Sequence, residues 1–175
     1  MAHYDLLVIG TGPAGQKAAV QAAKLGKKVG IIERKEVVGG VCTNTGTIPS
    51  KSLREAVLYL SGFRQRTLYG AEYRLKKTIT IEDLAFRANH IIKNEIEIVQ
   101  NQMARNRIDL IFGEARFVDP HRLIIQRAGT STEHHAHVIV IAVGTEPARP
   151  AEIPFDDDTI IDTDGFLTLK HLPTS

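Results

Sequence analysis

One hexapeptide, Gly10-Thr11-Gly12-Pro13-Ala14-Gly15, constrains this chain more than any other feature, because of what flanks it. Ahead of it, Tyr4 to Ile9 is a short apolar run of β-prone residues. Behind it, Pro13 leads into the alanine-rich stretch Ala14 to Leu25. The order predicts strand, tight turn, helix. Ala14, Ala18, Ala22 and Leu25 recur at intervals of three and four, a narrow small-residue face suited to close packing on a sheet, and Gly26 offers a left-handed end to the helix. Val29, Ile31 and Ile32, within Lys28 to Glu33, predict a second buried strand that a right-handed crossover would lay parallel to the first.

A GxGxxG match alone is weak evidence, since glycine clusters also serve ordinary turns. Here it follows a strand, opens a helix and is followed, 23 residues after Gly10, by the acid Glu33, which is the context of a dinucleotide-binding βαβ unit. Gly10 permits the turn, Gly12 lets a pyrophosphate approach the backbone, and Gly15 allows close helix packing. The helix N-terminus adds free amides and about half a positive charge. Glu33 would accept hydrogen bonds from ribose hydroxyls and repel a 2′-phosphate, so the expected occupant is FAD or NAD, not NADP.

The rest of the chain reads as α/β. Leu53, Ala56, Val57 and Leu60 have helical spacing, and Pro49 either opens that helix or interrupts one that begins near Gly40. Residues 64–77 read as a loop. Thr80 and Asp83 form a plausible capping pair for a long amphipathic helix carrying Leu84, Ala88, Ile91, Ile92, Val99 and Met103 to about Asn106, so two helices would lie side by side. From Ile108 the pattern turns to strands, Ile108 to Phe112, Ala115 to Val118, Leu123 to Gln126 and Val138 to Val143, expected as a small antiparallel meander plus a return to the main sheet. Pro147, Pro150, Pro154 and Asp156-Asp157-Asp158 suggest a solvated connector, and Leu172 to Ser175 an exposed linker at a domain boundary. The expected division is a nucleotide-binding domain over 1–150 and a connector over 151–175.

Composition narrows the function classes. At 175 residues and 19.3 kDa one domain is expected. Basic residues number 22 against 20 acidic ones and are interspersed, so no nucleic-acid footprint is expected. The longest apolar run, Val138 to Val143, falls far below the ~20 residues of a spanning helix, so no membrane anchor is expected. No basic region precedes the first apolar run, as a secretory signal would require. Cys42 is the one cysteine, which forbids an internal disulfide and agrees with a reducing cytoplasm. His134, His135 and His137 lack a carboxylate or thiol at ligand spacing and read as a solvated hairpin; no metal site is expected.

A second motif runs Gly39-Gly40-Val41-Cys42-Thr43-Asn44-Thr45-Gly46-Thr47-Ile48-Pro49-Ser50-Lys51. It resembles the glutathione reductase and lipoamide dehydrogenase family of two-dinucleotide-binding flavoproteins, whose matching stretch holds two cysteines with four residues between them, then the same Ile-Pro-Ser-Lys. Cys42 and Lys51 are kept here, but Thr47 stands at the second cysteine position. A dithiol relay is thereby impossible, because threonine neither forms nor attacks a disulfide. The resemblance covers the whole chain, including Gly113 to Asp119 and Ala142 to Pro147. One branch of the family shares the departure, reading Cys-Thr, two variable residues, then Gly-Thr-Ile-Pro-Ser-Lys.

The resemblance implies a Rossmann-like FAD-binding domain with a parallel sheet, helices and a small antiparallel β-meander. Its cofactor contacts would be Gly10, Gly12, Pro13, Ala14, Gly15, Glu33, Arg34, Gly39, Gly40, Val41, Cys42 and Lys51, with the backbone of Ala115 facing the adenine and Ala142, Val143 and Gly144 passing along the cofactor. Thr47 and Lys51 would be the catalytic positions at the flavin, the Lys51 ammonium stabilising the anionic reduced ring. Cys42 reads more readily as a small buried hydrophobe than as a nucleophile. The branch implies hydride transfer between NADPH and NAD through FAD by alternating binding, in a longer homo-oligomeric protein with an NAD(P) domain, a returning FAD segment and a dimerisation domain. The 175-residue chain alone would be inactive. Two readings stay open beside it: another flavin oxidoreductase, acting on a quinone or other small acceptor or resembling lipoamide dehydrogenase, and a non-catalytic FAD-binding fragment.

Overall fold

The computed structural model describes residues 2–172, so the end of the expected terminal linker, 173–175, lies outside the described residues. The chain divides into two compact units. The first takes the residues up to Cys42 together with Glu95–Thr145. Its six strands are β1 (Ala2–Ile9), β2 (Val29–Glu33), β3 (Asp109–Phe112), β4 (Glu114–Asp119), β5 (Arg122–Arg127) and β6 (Thr130–Ile141), in one sheet of order β3-β2-β1-β6-β5-β4. Strands β3, β2, β1 and β6 run parallel, with Leu6 opposite both Val29 and Val138. Strands β4, β5 and β6 form an antiparallel meander.

The last strand of the expected meander and the expected return to the main sheet are thus one strand, β6. β6 pairs with β5 through Thr130 to His135 and with β1 through His134 to Ile141. Its first half escapes a hydrophobic reading because Ser131 to His135 is polar, and β5, β6 and β1 neighbours are decided by backbone pairing across the sheet, not by local apolarity. His134 and His135 accordingly lie in the β5–β6 hairpin, paired with Leu123 and Arg122, but are half-buried and not solvated; only His137 of the three is exposed. Burial pushes the His134 imidazole below its ordinary pKa.

Alternation along the strands divides the core between two faces. Val8, Val29 and Ile31 pack with Ala19, Val20, Val99, Met103 and Ile108. Leu7 and Ile32 pack with Tyr4, Leu123, Ile125 and Ala136. Burial of each such aliphatic side chain contributes about 1.5–3 kcal/mol before chain entropy is charged against it.

Helix α1 (Pro13–Lys24) follows the turn at Gly10. Its inner face is Gly15, Ala19 and Val20, whereas Ala14 and Leu25 of the expected face are exposed, Leu25 to 68%. Ala18 and Ala22 of that face are partly buried and pack on the same core beside Ala19, so the inward side is shifted from the one the alanine spacing suggests but overlaps it. Gly15 decides this, because its Cα rests against the Gly10 carbonyl: a Cβ there would lie 2.0 Å from that oxygen. The helix ends with Gly26 at φ +76°, the Gly26 N–H donating to the Ala23 carbonyl and the Lys27 N–H to the Ala22 carbonyl. That paired arrangement satisfies the last carbonyls.

The second unit takes Thr43–Asn94 and the chain from Glu146. Helix α2 (Gly40–Asn44) ends at the turn Thr45-Gly46, and α3 (Thr47–Leu60) begins at once, with Pro49 inside its first turn where no N–H is needed. Leu53 and Ala56 of α3 pack with Leu84 and Ala88 of the 25-residue α5 (Ile81–Arg105); Val57, expected inside, is 42% exposed. Thr80 and Asp83 cap α5 reciprocally: the Thr80 N–H donates to Asp83 Oδ2 at 2.9 Å and the Asp83 N–H to Thr80 Oγ1 at 3.4 Å. Between these helices lie a 3-10 turn, Phe63–Gln65, and the single-turn α4 (Arg66–Tyr69). After Glu146 the chain is mostly irregular, held by Arg149, whose guanidinium donates to Asp162 and Asp157 at 2.7 and 2.6 Å. No helix among the described residues is long and apolar enough to cross a membrane.

Candidate functional site

Three glycines of the loop do different physical work. Gly10, at φ +106°, turns the chain after β1, and a Cβ on it would lie 2.2 Å from the Ala142 carbonyl oxygen. Gly15 is closed to a side chain by Gly10 itself. Gly12, by contrast, has an ordinary φ of −66° and nothing within 4 Å of where a Cβ would project. Neither backbone strain nor packing within the chain therefore requires glycine at position 12. The absence of a side chain there keeps the peptide open on its outer side.

Gly12 is also the residue that caps α1, in extended conformation and without a side-chain cap. Pro13 has no N–H, and the first turn contains no acidic residue. The Ala14 and Gly15 amides open the helix, ahead of the first intrahelical bond from Gln16 to Gly12. An anion is the complementary ligand for such an end. Pro13 and Ala14 are exposed.

Glu33 ends β2, and it is 8% exposed. Its Oε2 accepts the Thr11 N–H at 3.2 Å and the Thr11 hydroxyl, and its Oε1 accepts the Lys35 N–H at 3.0 Å. The Thr11 hydroxyl oxygen also accepts the Gly39 N–H at 3.1 Å. Gly39 and Gly40 have φ of +105° and +63°, and a Cβ on Gly40 would lie 2.8 Å from Gly12 Cα. The second glycine pair is thus seated directly on the first loop. Thr11, 1% exposed, is a residue of this cluster that the sequence reading missed: it occupied a variable position of the motif, and only its hydroxyl marked it out.

Ala142 joins the same cluster through its N–H, which donates to the Ile9 carbonyl at 2.8 Å, and through its carbonyl against Gly10. Val143 and Gly144 follow it, exposed. Gly113 donates its N–H to the Glu33 carbonyl at 2.8 Å, which starts β4 beside the acid; Ala115 lies two residues on, paired with Ile125. Arg34 is exposed next to Glu33, Val41 is exposed on α2, and Cys42 is half-buried and free. In the second unit Thr47 is the first residue of α3 and Lys51 lies one turn further, both exposed. No group of three or more His, Cys, Asp or Glu among the described residues is arranged to hold a metal ion.

Residues 4–175 match the pyridine nucleotide-disulphide oxidoreductase family. Among curated relatives, a protein of Mycobacterium tuberculosis named soluble pyridine nucleotide transhydrogenase is 55% identical over 177 aligned positions, covering 100% of this chain and 38% of the relative. A protein of the same name from Colwellia psychrerythraea is 41% identical over 171 positions, covering 97% and 36%. Among solved structures, the HOCl-induced flavoprotein disulfide reductase RclA from Escherichia coli superposes with a TM-score of 0.75 at 30% identity, covering 97% of this chain and 35% of that one. Its Cu(II) complex gives 0.76 at 29% identity, covering 99% and 36%. The chain spans little more than a third of the length of the relatives it matches. The glycine loop, the buried acid that ends β2 and the mixed sheet are accordingly the Rossmann-like α/β fold of the pyridine nucleotide-disulphide oxidoreductase family, to which this chain belongs.

Proposed function

We propose that this chain is the FAD-binding N-terminal portion of an enzyme that transfers hydride between NADPH and NAD, a soluble pyridine nucleotide transhydrogenase. The observation that carries the reading is the single thiol. Cys42 has no partner cysteine and Thr47 holds the partner's position, so electrons cannot pass through a dithiol in this segment. Relatives bearing the transhydrogenase name at 55% and 41% identity support it.

The residues present fit FAD. Gly12 leaves room for a pyrophosphate where a Cβ would meet nothing within 4 Å, and the amides opening α1 supply donors and a positive dipole end. Glu33 supplies the acceptor for a ribose hydroxyl. Gly39 to Cys42 and Ala142 to Gly144 form the walls, Arg34 adds a cation beside the acid, and the backbone of Ala115 is assigned to the adenine by resemblance. Bound FAD would supply the two-electron carrier that takes a hydride from one nicotinamide cofactor and gives it to the other. By resemblance Thr47 and Lys51 flank the flavin, and Lys51 contributes a fixed cation toward its reduced form. An NAD(P) domain following the 151–175 connector, a homo-oligomeric assembly and a cytoplasmic location complete the proposal.

The test is made on the complete gene product. Purified protein should show an oxidised-flavin absorption spectrum, be bleached by NADPH in the absence of acceptor, and be reoxidised by a thio-NAD analogue with parallel-line steady-state kinetics. Reoxidation by a quinone but not by the nicotinamide analogue would transfer the assignment to a different flavin oxidoreductase. A colourless protein that takes up no FAD would reject it.

A further inference from the structure

We propose that Thr11 is the positioning residue of this site, and that its hydroxyl sets both the ribose acceptor and the second glycine loop before cofactor arrives. The inference rests on the FAD reading above. A threonine hydroxyl has one proton and two lone pairs. Here the proton goes to Glu33 Oε2, and the oxygen accepts the Gly39 N–H at 3.1 Å. A single side chain, 1% exposed, thereby joins the first glycine turn, the end of β2 and the start of the Gly39-Gly40 segment. Separations of 22 and 28 residues along the chain are closed at one atom.

Each partner depends on it. Glu33 is 8% exposed, and a buried carboxylate needs donors to remain where it is. Thr11 supplies two donors, the N–H at 3.2 Å and the hydroxyl, while Lys35 N–H holds the other oxygen at 3.0 Å. Removing the hydroxyl leaves the carboxylate without one of its donors and the Gly39 amide without its acceptor. Gly40, at positive φ like Gly39, is pressed against Gly12, with only 2.8 Å between a Cβ on Gly40 and Gly12 Cα. Loosening Gly39 therefore loosens the surface that meets the pyrophosphate, and freeing Glu33 spoils the aim at the ribose.

The experiment measures affinity, not turnover. Apoprotein of the complete gene product is titrated with FAD and with its 2′-deoxyadenosine analogue, binding being followed by quenching of flavin fluorescence. Wild type should prefer FAD by about tenfold, the ordinary value of one hydrogen bond to a charged group. Thr11→Val has the same shape without the hydroxyl; its FAD affinity should fall about tenfold or more and its preference over the analogue should shrink to within about threefold. Thr11→Ser should restore both the affinity and the preference. Thr11→Cys, with a weak donor in place of the hydroxyl, should behave as Thr11→Val and serves in its place if the valine variant does not fold. An unchanged preference in Thr11→Val or Thr11→Cys, with FAD and analogue weakened alike, would show that the hydroxyl only supports the fold and overturn the proposal. A wild type that binds both flavins equally would overturn the Glu33 placement, and one that binds neither would overturn the FAD reading, each taking this proposal with it.

Discussion

Adding the same methyl group at Gly12 and at Gly15 should give opposite outcomes. At Gly15 the new Cβ would lie 2.0 Å from the Gly10 carbonyl oxygen and 3.2 Å from a Val8 methyl. A carbon and an oxygen need more than 3 Å, so α1 must move about 1 Å off the sheet, or β1 must yield. Overpacking of this kind costs about 1–3 kcal/mol, and displacing Ala19 and Val20 from their burial places Gly15→Ala at the upper end, about 3 kcal/mol. At roughly 2–4 °C for each kcal/mol in a chain of this size, the melting midpoint of the flavin-free protein should fall roughly 6–12 °C. At Gly12 the Cβ meets nothing, and φ −66° with ψ 176° suits alanine. The loss of a favourable glycine cap and the lower entropy of the unfolded chain oppose each other at up to about 1 kcal/mol, so the midpoint should stay within about 3 °C. FAD affinity should nevertheless fall at least about tenfold, because the methyl occupies the approach of the pyrophosphate. Circular dichroism melts of the two apoproteins and fluorescence titration with FAD make the comparison. Two variants that lose stability equally, or a Gly12→Ala protein with wild-type flavin affinity, would refute the division of labour among the glycines.

Other outcomes follow from the same geometry. Cys42→Ser should leave nicotinamide exchange within about tenfold, roughly 1.4 kcal/mol in barrier, and the wild type should not turn over lipoamide or glutathione disulfide; measurable disulfide reduction would contradict the single-thiol argument. Lys51→Met should keep FAD bound while lowering the flavin's reduction potential and slowing hydride acceptance, and dye-coupled titrations that return equal potentials would return Lys51 to a solvated helix face. Burial, with the hydrogen bond that Tyr4 donates to Asp109 at 3.0 Å, pushes the Tyr4 phenol up to about 12 from 10.0. The unfolded chain then loses this proton first, so the contribution is complete below pH 10 and is lost as pH rises toward about 12. Tyr4→Phe should therefore be less stable than wild type at neutral pH and converge on it above pH 10 in urea titrations, and a gap that does not narrow would deny the linkage.

The βαβ unit was legible because its determinants are local: glycine where φ is positive, proline in a first helical turn, an alternating or 3.6-residue apolar pattern, and an acid at fixed spacing. Gly10, Gly26, Pro49, Glu33 and the Thr80 to Asp83 cap all carry their conformational meaning within a few residues. Cys42 and Thr47 likewise stated from the sequence alone that no dithiol can form. Other features belong to partners distant in the chain. Which side of α1 faces inward was decided by the Gly10 carbonyl against Gly15, and the alanines, being nearly alike in size, carry no preference of their own. Thr130 to Ile141 became one strand because β5 and β1 both needed a neighbour, a demand that polar Ser131 to His135 do not advertise. The fate of Thr11 was decided the same way, since a hydroxyl acquires its role only when folding brings Glu33 and Gly39 to it from 22 and 28 residues away. Local sequence sets which backbone shapes are inexpensive; tertiary structure alone determines which polar atoms meet once water is excluded and each must find a partner.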